Sequence, residues 1–410
     1  MAEGDPAGTP ARRAAVQLLH AVTVLGKPLD AVLGGALGGL PQGNDRALAH
    51  ALVGQALRWL VDLDALIDST TAEVLAPDVR VRQVLRVALV GALRLGTPPH
   101  AVIATALPLL AGGPRRLAHG VLSTLFKRRA ALPPVPTLPP AWAARWRAQW
   151  GEDMVAAASA ALAEVPPLDV AVQRATDGLE GVSLLPGHLR LAGTHGVEAI
   201  PGYASGDWWV QDVAAQLPVT LLGDVAGMRV LDLCAAPGGK TMQLAARGAH
   251  VVALEKEARR VARIEANLAR TDLRAEIVVA DALEWEPGQA FDAVLLDAPC
   301  SASGVFRRHP DLLHLKAMED LGALLVVQAA LRARAAAWLK PGGRMVYAVC
   351  SLERAEGEEH APPPGVVAEP LLTAELPDWV TPAADGTVRV LPGMVEGGAD
   401  GFFMARWRRG

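Results

Sequence analysis

The sequence is poor in three things, and each scarcity narrows what the protein can be. Three cysteines in 410 residues, Cys234, Cys300 and Cys350, lie 66 and 50 positions apart. They form no Cys-x-x-Cys pair and no even framework, which argues against a disulfide scaffold and a structural zinc site and favours free thiols in a reducing compartment. Uncharged apolar runs stay short of the ~18 to 20 residues that a membrane helix needs. The N-terminus, MAEGDPAGTPARRAA, is acidic before it is basic and lacks the cationic start and apolar stretch of a secretory signal. A cytoplasmic protein with no membrane partner and no metal is the expectation. Lysine is the third scarcity, 6 against 33 arginines; with the richness in Ala, Gly and Pro, this reads as genome bias rather than function.

What is present is globular: 51% apolar and 20% charged residues over a length that suggests two or three domains. The net charge of −4 hides an asymmetry. Residues 1–135 carry 14 Lys/Arg against 9 Asp/Glu, a balance of +5, which leaves −9 for the remainder. A basic appendage on an acidic body suggests an anionic partner; ordinary scatter of surface charge is the alternative.

From Ala11 to about Arg129 the apolar residues recur at helical spacing, interrupted at GKP (26–28), GGLPQGN (38–44), GTPP (96–99) and AGGP (111–114). This predicts an all-helical bundle that ends in the basic segment LSTLFKRRA at 122–130. The stretch ALPPVPTLPP (131–140) holds five prolines in ten residues, which neither a helix nor a central strand tolerates, and marks a stiff linker and a domain boundary. A tryptophan-rich helix (AWAARWRAQWG) and short strands such as LDVAVQR follow, the tryptophans reading as packing groups rather than a base-stacking platform. From Arg229 short apolar strands (RVLDL, HVVALE, AEIVVAD, FDAVLLDAP, GRMVYAVC) alternate with helical stretches. Such alternation builds a mostly parallel sheet with helices on both faces, and ligands bind beyond the carboxyl ends of its strands.

The groups at those ends carry the chemistry. LDLCAAPGGKT (231–241) is neither a P-loop, since Cys234 stands where that pattern needs glycine, nor GxGxxG. Alone, it is a weak signal for a nucleotide-like ligand whose backbone approach the small residues permit. Glu255, about 20 residues on and closing the second strand, is placed to take two ribose hydroxyls. Asp281 closes the third strand and can accept from an adenine amino group; Asp297 closes the fourth. Cys300 in DAPC and Cys350 in YAVC each follow a strand, so both thiols face one cleft if those strands are neighbours. Cys234 reads more simply as a small buried residue. A thiolate beside an adenosyl cofactor suits methylation of cytosine carbon 5: attack on carbon 6 makes the ring nucleophilic, and a second group can serve the release of the enzyme.

VLDLCAAPGGKT, LLDAPCSASGVFRRHPD, KPGGRMVYAVCSLE and DGFFMARW closely resemble the Sun/Fmu class of RNA cytosine-5 methyltransferases, and the helical N-terminal region resembles the NusB-like RNA-binding domain of the bacterial 16S rRNA branch. The resemblance spans nearly the whole chain. It implies an α/β, Rossmann-like S-adenosylmethionine-dependent methyltransferase domain at 206–410, a linker and small α+β RNA-binding subdomain at 136–205, and an all-helical NusB-like domain at 1–135. By the same resemblance Cys234, Ala235, Ala236, Pro237, Gly238, Gly239, Lys240, Glu255, Asp281 and Asp297 contact S-adenosyl-L-methionine. Cys350 is then the nucleophile, Cys300 assists release, and Asp297 joins them in catalysis. The implied substrate is one exposed or flipped cytidine of 16S rRNA, met by a monomer. Val349 stands where the family has Thr, Glu255 where Asp is commoner, and SLERAEGEEH lacks the usual proline, which bears on fine positioning rather than on catalytic atoms. The same chemistry on tRNA or another rRNA site, and a non-catalytic RNA-binding assembly factor, are the competing readings.

Overall fold

The computed structural model describes residues 6–40, 43–192, 196–315 and 321–410. The first five residues, on which the reading of the N-terminus partly rests, and residues 41–42 within the break at 38–44 lie outside the described residues. The chain divides into two compact units, residues 1–165 with the segment 306–317, and residues 166–305 with 318–410.

In the first unit, helices α1 (Thr9–Thr23), α2 (Leu29–Gly38), α3 (Gly43–Arg58), α4 (Leu60–Asp68), α5 (Arg80–Leu93), α6 (Pro99–Ala106) and α7 (Gly112–Lys127) realise the expected bundle. Its centre is α5, buried from Val81 to Gly91 on every face, although it carries Arg82, Gln83 and Arg86 among its apolar residues. Two arginines inside it survive burial because carboxylates meet them: Arg86 makes a two-pronged contact with Asp64 (2.7 and 2.6 Å), and Arg82 reaches Asp64 at 2.9 Å and Asp68. These arginines do not reach the surface. Exposed positive charge instead includes a cluster of Arg115, Arg116, Lys127, Arg128 and Arg129 on α7 and just after it.

The proline-rich stretch has no regular structure, as its prolines require. It nevertheless belongs to the helical unit, since Thr137 donates to Asp62 through both its amide (2.9 Å) and its hydroxyl (2.6 Å). The unit runs on through α8 (Pro140–Trp150) and α9 (Glu152–Ala163), past residue 135 where the prolines alone place a boundary. Trp146 explains why: it is fully buried, with its ring 5.2 Å from both Trp142 and Phe306. Trp142 donates to the carbonyl of Leu313 (3.0 Å), so at these two positions tryptophan is a packing residue. Segment 306–317 therefore joins the helical unit, held also by Asp311, which accepts from the Leu29 amide at 2.9 Å. The motif LLDAPCSASGVFRRHPD is thus divided between the units.

The second unit begins with a small antiparallel sheet of β1 (Leu168–Val172), β2 (Gly181–Val182), β3 (His188–Leu191) and β4 (Trp208–Val210), in the order β2-β3-β1-β4. Then follow α10 (Val213–Leu221), β5 (Arg229–Leu233), α11 (Gly239–Ala246), β6 (His250–Glu255), α12 (Ala258–Thr271), β7 (Glu276–Val279), β8 (Phe291–Asp297), α13 (Leu321–Ala337), β9 (Leu339–Val349), β10 (Val366–Ala368), β11 (Val388–Val390) and β12 (Phe402–Arg409). The large sheet runs β10-β12-β9-β8-β5-β6-β7, with β11 also on β12. Its β9-to-β7 portion is parallel, as the alternation predicts. The antiparallel edge that β12 builds with β9, β10 and β11 was not legible, because those pairings join distant residues. Alternation of side chains sends Val230, Leu295 and Val346 to the face covered by α10 and α11, and Leu231, Leu296 and Tyr347 to the face covered by α13. Among the described residues no helix is long and apolar enough to cross a membrane.

The small sheet is pinned to the unit by one buried carboxylate. Asp169 on β1 accepts both prongs of Arg190 (2.7 and 2.9 Å) and the Val213 amide that opens α10 (3.2 Å), while Arg190 also reaches the carbonyls of Glu396 and Gly398. Burial pushes the Asp169 carboxyl up, but the bonds from Arg190 and His188 outweigh it and hold the group well below its ordinary 3.8. Its contribution is therefore present above that value and lost as pH falls below it. Asp169→Ala is expected to cost about 3 to 5 kcal/mol in urea unfolding followed by tryptophan fluorescence. The gap between wild type and Asp169→Asn should narrow as the pH is lowered from about 5 towards 2; a gap constant over that range contradicts the assignment.

Candidate active site

The site forms where the strand order reverses, between β5 and β8, at the carboxyl ends of the parallel strands. After β5 the chain turns sharply: Cys234 adopts φ 68° and Gly238 φ 101°, both left-handed. The amides of Cys234 and Ala235 both donate to the carbonyl of Leu254 (3.0 and 3.1 Å), which stitches the turn to β6. Gly238 is required by its φ, and a Cβ there would also sit tightly, 3.3 Å from the Ile264 backbone on α12. Beneath the turn, burial raises the Asp232 carboxyl to about 6 despite the Thr241 hydroxyl that it accepts at 2.5 Å. Burial likewise drives the Cys234 thiol far above its ordinary value, so it stays neutral.

The three predicted carboxylates hold different stations. Glu255 ends β6 and is nearly fully buried; it accepts from the amides of Ala236 (3.3 Å) and Glu257 (3.0 Å) and from Arg260 (3.3 Å). Asp281 lies two residues past β7 rather than on it, more exposed, accepting from Lys256 (2.7 Å) and the Leu283 amide (2.9 Å). The Lys256 bond holds its carboxyl below the ordinary value. Asp297 ends β8 and accepts from Lys240 at 2.7 Å. Burial alone would lower the Lys240 ammonium, but Asp297 and, less strongly, Cys350 hold it above its ordinary value, so it stays cationic. Its Nζ lies 5.5 Å from the centre of the Phe402 ring.

β8 and β9 are parallel neighbours with Asp297 opposite Ala348, and the thiols that follow them meet: Cys300 and Cys350 are 3.5 Å apart, sulfur to sulfur. The neighbouring Cys350, burial and the negative charge of Glu356 all push the Cys300 thiol well above its ordinary value. A backbone clamp closes the same corner. Gly304 donates to the Cys350 carbonyl (3.0 Å), Gly401 donates to the Gly304 carbonyl (2.8 Å), and a Cβ on Gly304 would stand 2.0 Å from the Gly401 oxygen.

The fold thus gathers Cys234 to Lys240, Glu255 and Asp297 around the ends of β5, β6 and β8, with Cys300 and Cys350 beside Asp297 and Lys240, and sets Asp281 after the neighbouring strand. Sequence reasoning missed a buried polar network under the thiols, made by Ser301, Ser303, Ser351, Gln328 and Glu356, and the ring of Phe402 beside Lys240. The repeated Cys-Ser pair was a signal for the serines. Nothing distinguishes Glu356 from the other acids of SLERAEGEEH before folding. Among the described residues no group of three or more His, Cys, Asp or Glu is gathered to hold a metal ion.

The family described as 16S rRNA methyltransferase RsmB/F matches residues 219–408, and the NusB family matches residues 9–112. Ribosomal RNA small subunit methyltransferase B of Xylella fastidiosa (strain 9a5c) is 36% identical, over 96% of this chain and 98% of its own. That of Klebsiella pneumoniae subsp. pneumoniae is 34% identical, over 96% and 97%. Among solved structures, PH0851 shares the fold with a TM-score of 0.75 at 22% identity, covering 98% of this chain and 99% of its own. NSun6 from Pyrococcus horikoshii, crystallised with SFG, shares it with a TM-score of 0.57 at 17% identity, over 67% and 98%. With both family models matched in order along it and relatives similar over nearly its whole length, the chain belongs to the 16S rRNA methyltransferase RsmB/F family of S-adenosylmethionine-dependent RNA methyltransferases.

Proposed function

We propose that the protein methylates carbon 5 of one cytidine in 16S rRNA through a covalent adduct between Cys350 and carbon 6 of the base. The observation that carries this reading is the pair of thiols 3.5 Å apart beside the Lys240–Asp297 ion pair. A single nucleophile needs no second thiol, whereas an adduct that must be broken after carbon 5 is alkylated needs a group to manage its release.

The residues fit S-adenosyl-L-methionine as the methyl donor. Glu255 and Asp281 are acceptors suited to hydroxyl and amino donors, and the turn from Cys234 through Ala235, Ala236, Pro237, Gly238 and Gly239 is built of small residues, with Cys234 and Gly238 in left-handed backbone. When bound, that cofactor supplies an electrophilic methyl group. The chain does the rest. Cys350, close enough to Lys240 to raise its ammonium, attacks carbon 6 with that cation beside it. Asp297 fixes Lys240 and presents a carboxylate to the base. Cys300, which resists ionisation, remains protonated at neutral pH and stands against Cys350 during loss of the carbon 5 proton and expulsion of the enzyme. The exposed arginines and lysine of α7 and its end offer a surface to the phosphates of the RNA.

With unmodified small-subunit RNA and labelled cofactor, Cys300→Ala is expected to accumulate an RNA–protein adduct that survives denaturation, and Cys350→Ala to form none and transfer nothing. The reverse pattern exchanges the roles, and methyl transfer by the double variant refutes the covalent route. A second expectation follows from the cause of the Cys300 shift. Cys350 is the largest contributor raising it, so Cys350→Ala should move the midpoint of Cys300 alkylation to lower pH. Mass spectrometry after iodoacetamide pulses at increasing pH reads that midpoint directly; an unmoved or higher midpoint contradicts the coupling.

A further inference from the structure

A carboxylate that the proposed reaction does not use lies beneath the thiols. Glu356 is fully buried. Its Oε1 accepts from the Ser301 amide (2.9 Å) and the Gln328 side-chain amide (2.9 Å); its Oε2 accepts from the Ser301 hydroxyl (2.6 Å) and from the Ser351 hydroxyl. Ser301 follows Cys300 and Ser351 follows Cys350, so one side chain grips the residue next to each thiol. The two hydroxyls are themselves 3.0 Å apart, and Ser303 joins them at 3.1 and 3.2 Å while accepting from the Leu352 amide at 2.9 Å. The backbone of Glu356 is anchored as well, since its carbonyl accepts from the Tyr347 hydroxyl at 2.8 Å.

A carboxylate offers about four acceptor positions, and here all four are taken by the protein. Glu356 therefore faces inward and has no free position for RNA or cofactor. Burying a charge is costly, and apolar residues of similar volume fill an interior at least as well. What apolar residues cannot supply is a set of directional, charge-assisted bonds that spans two loops. We propose that Glu356 is a positioning residue that sets the spacing of Cys300 and Cys350, an inference that rests on the two-thiol reading above. Its loss should change the chemistry of the thiols while leaving cofactor affinity nearly intact, because the cofactor turn on β5 makes no bond to it.

The test compares wild type with Glu356→Gln, Glu356→Asp and Ser351→Ala, each first shown to be folded by its thermal transition. Two quantities are read: kcat and KM for S-adenosylmethionine on small-subunit RNA, and affinity for phenylarsine oxide without RNA or cofactor. The arsenical bonds to both sulfurs with release of one water, so it measures thiol spacing whatever the reaction. Glutamine puts a donor where an acceptor is needed, and we expect it to lower kcat by at least about ten-fold with KM changed by less than about two-fold. The same variant should weaken arsenical binding by at least about five-fold through lost preorganisation. Aspartate keeps the charge but is one methylene too short to span both loops, and should fall between. If Glu356→Gln does not fold, Ser351→Ala removes only one of the four bonds and should move both quantities in the same direction to a smaller extent. Wild-type kcat or wild-type arsenical affinity in a folded glutamine variant, or in Ser351→Ala when that variant decides, overturns the inference. Failure of Cys300→Ala to form an RNA adduct refutes the two-thiol reaction instead, and leaves the arsenical comparison to decide the spacing.

Discussion

Parallel pairing of β8 with β9 sets Asp297 opposite Ala348, and from that register the site follows. Cys300 follows shortly after Asp297 and Cys350 shortly after Ala348, the last pair of this register, so the thiols arrive side by side at the same edge. A slip of one residue would send every side chain of one strand to the opposite face. The register is defended by burial on both sides, with Leu295 and Val346 packed towards α10 and α11, and Leu296 and Tyr347 towards α13. β12 adds a second guard from the other side of β9, where its first residue, Phe402, supplies the ring beside Lys240, and Gly401 just before it donates to Gly304, which in turn donates to the Cys350 carbonyl.

The electrostatics of the cleft follow from crowding acids around a buried cation. Asp232, Asp297 and Glu255 all act on the neutral Cys234, and the first two also support Lys240. Desolvation works against every charge in this set. Lys240 stays charged because Asp297 is within a hydrogen bond of it, and Cys300 stays protonated because its nearest neighbours are another thiol and a carboxylate. The surroundings of Cys300 thus hold its thiol well above the ordinary value, through Cys350, burial and Glu356.

Much of this was legible before folding. Period-3.6 patterning marked the bundle, and the strand-turn-helix rhythm marked the parallel sheet, because both are local statements about which side chains must leave water. The turn after β5, Glu255 and Asp297 could be placed for the same reason: position at a strand end is a local property. The helical unit's true extent was not legible, since the tryptophans that carry it past the prolines pack against Phe306, far along the chain. Nor was the count of surface charge, because Arg82 and Arg86 look exposed in sequence but are paired inside the bundle.

The amino-acid sequence by itself determined the element types, the order of strands and helices, the presence of free thiols and the chemical kinds of group at the strand ends. These depend on residues within a turn or a strand of one another. Only the tertiary structure decided that β8 and β9 are neighbours, that Cys300 and Cys350 stand 3.5 Å apart, and that Glu356, among the acids after Cys350, turns inward to hold both loops. Those facts depend on contacts between residues about fifty positions apart, which form when burying both faces of the sheet repays the entropy of closing the intervening chain.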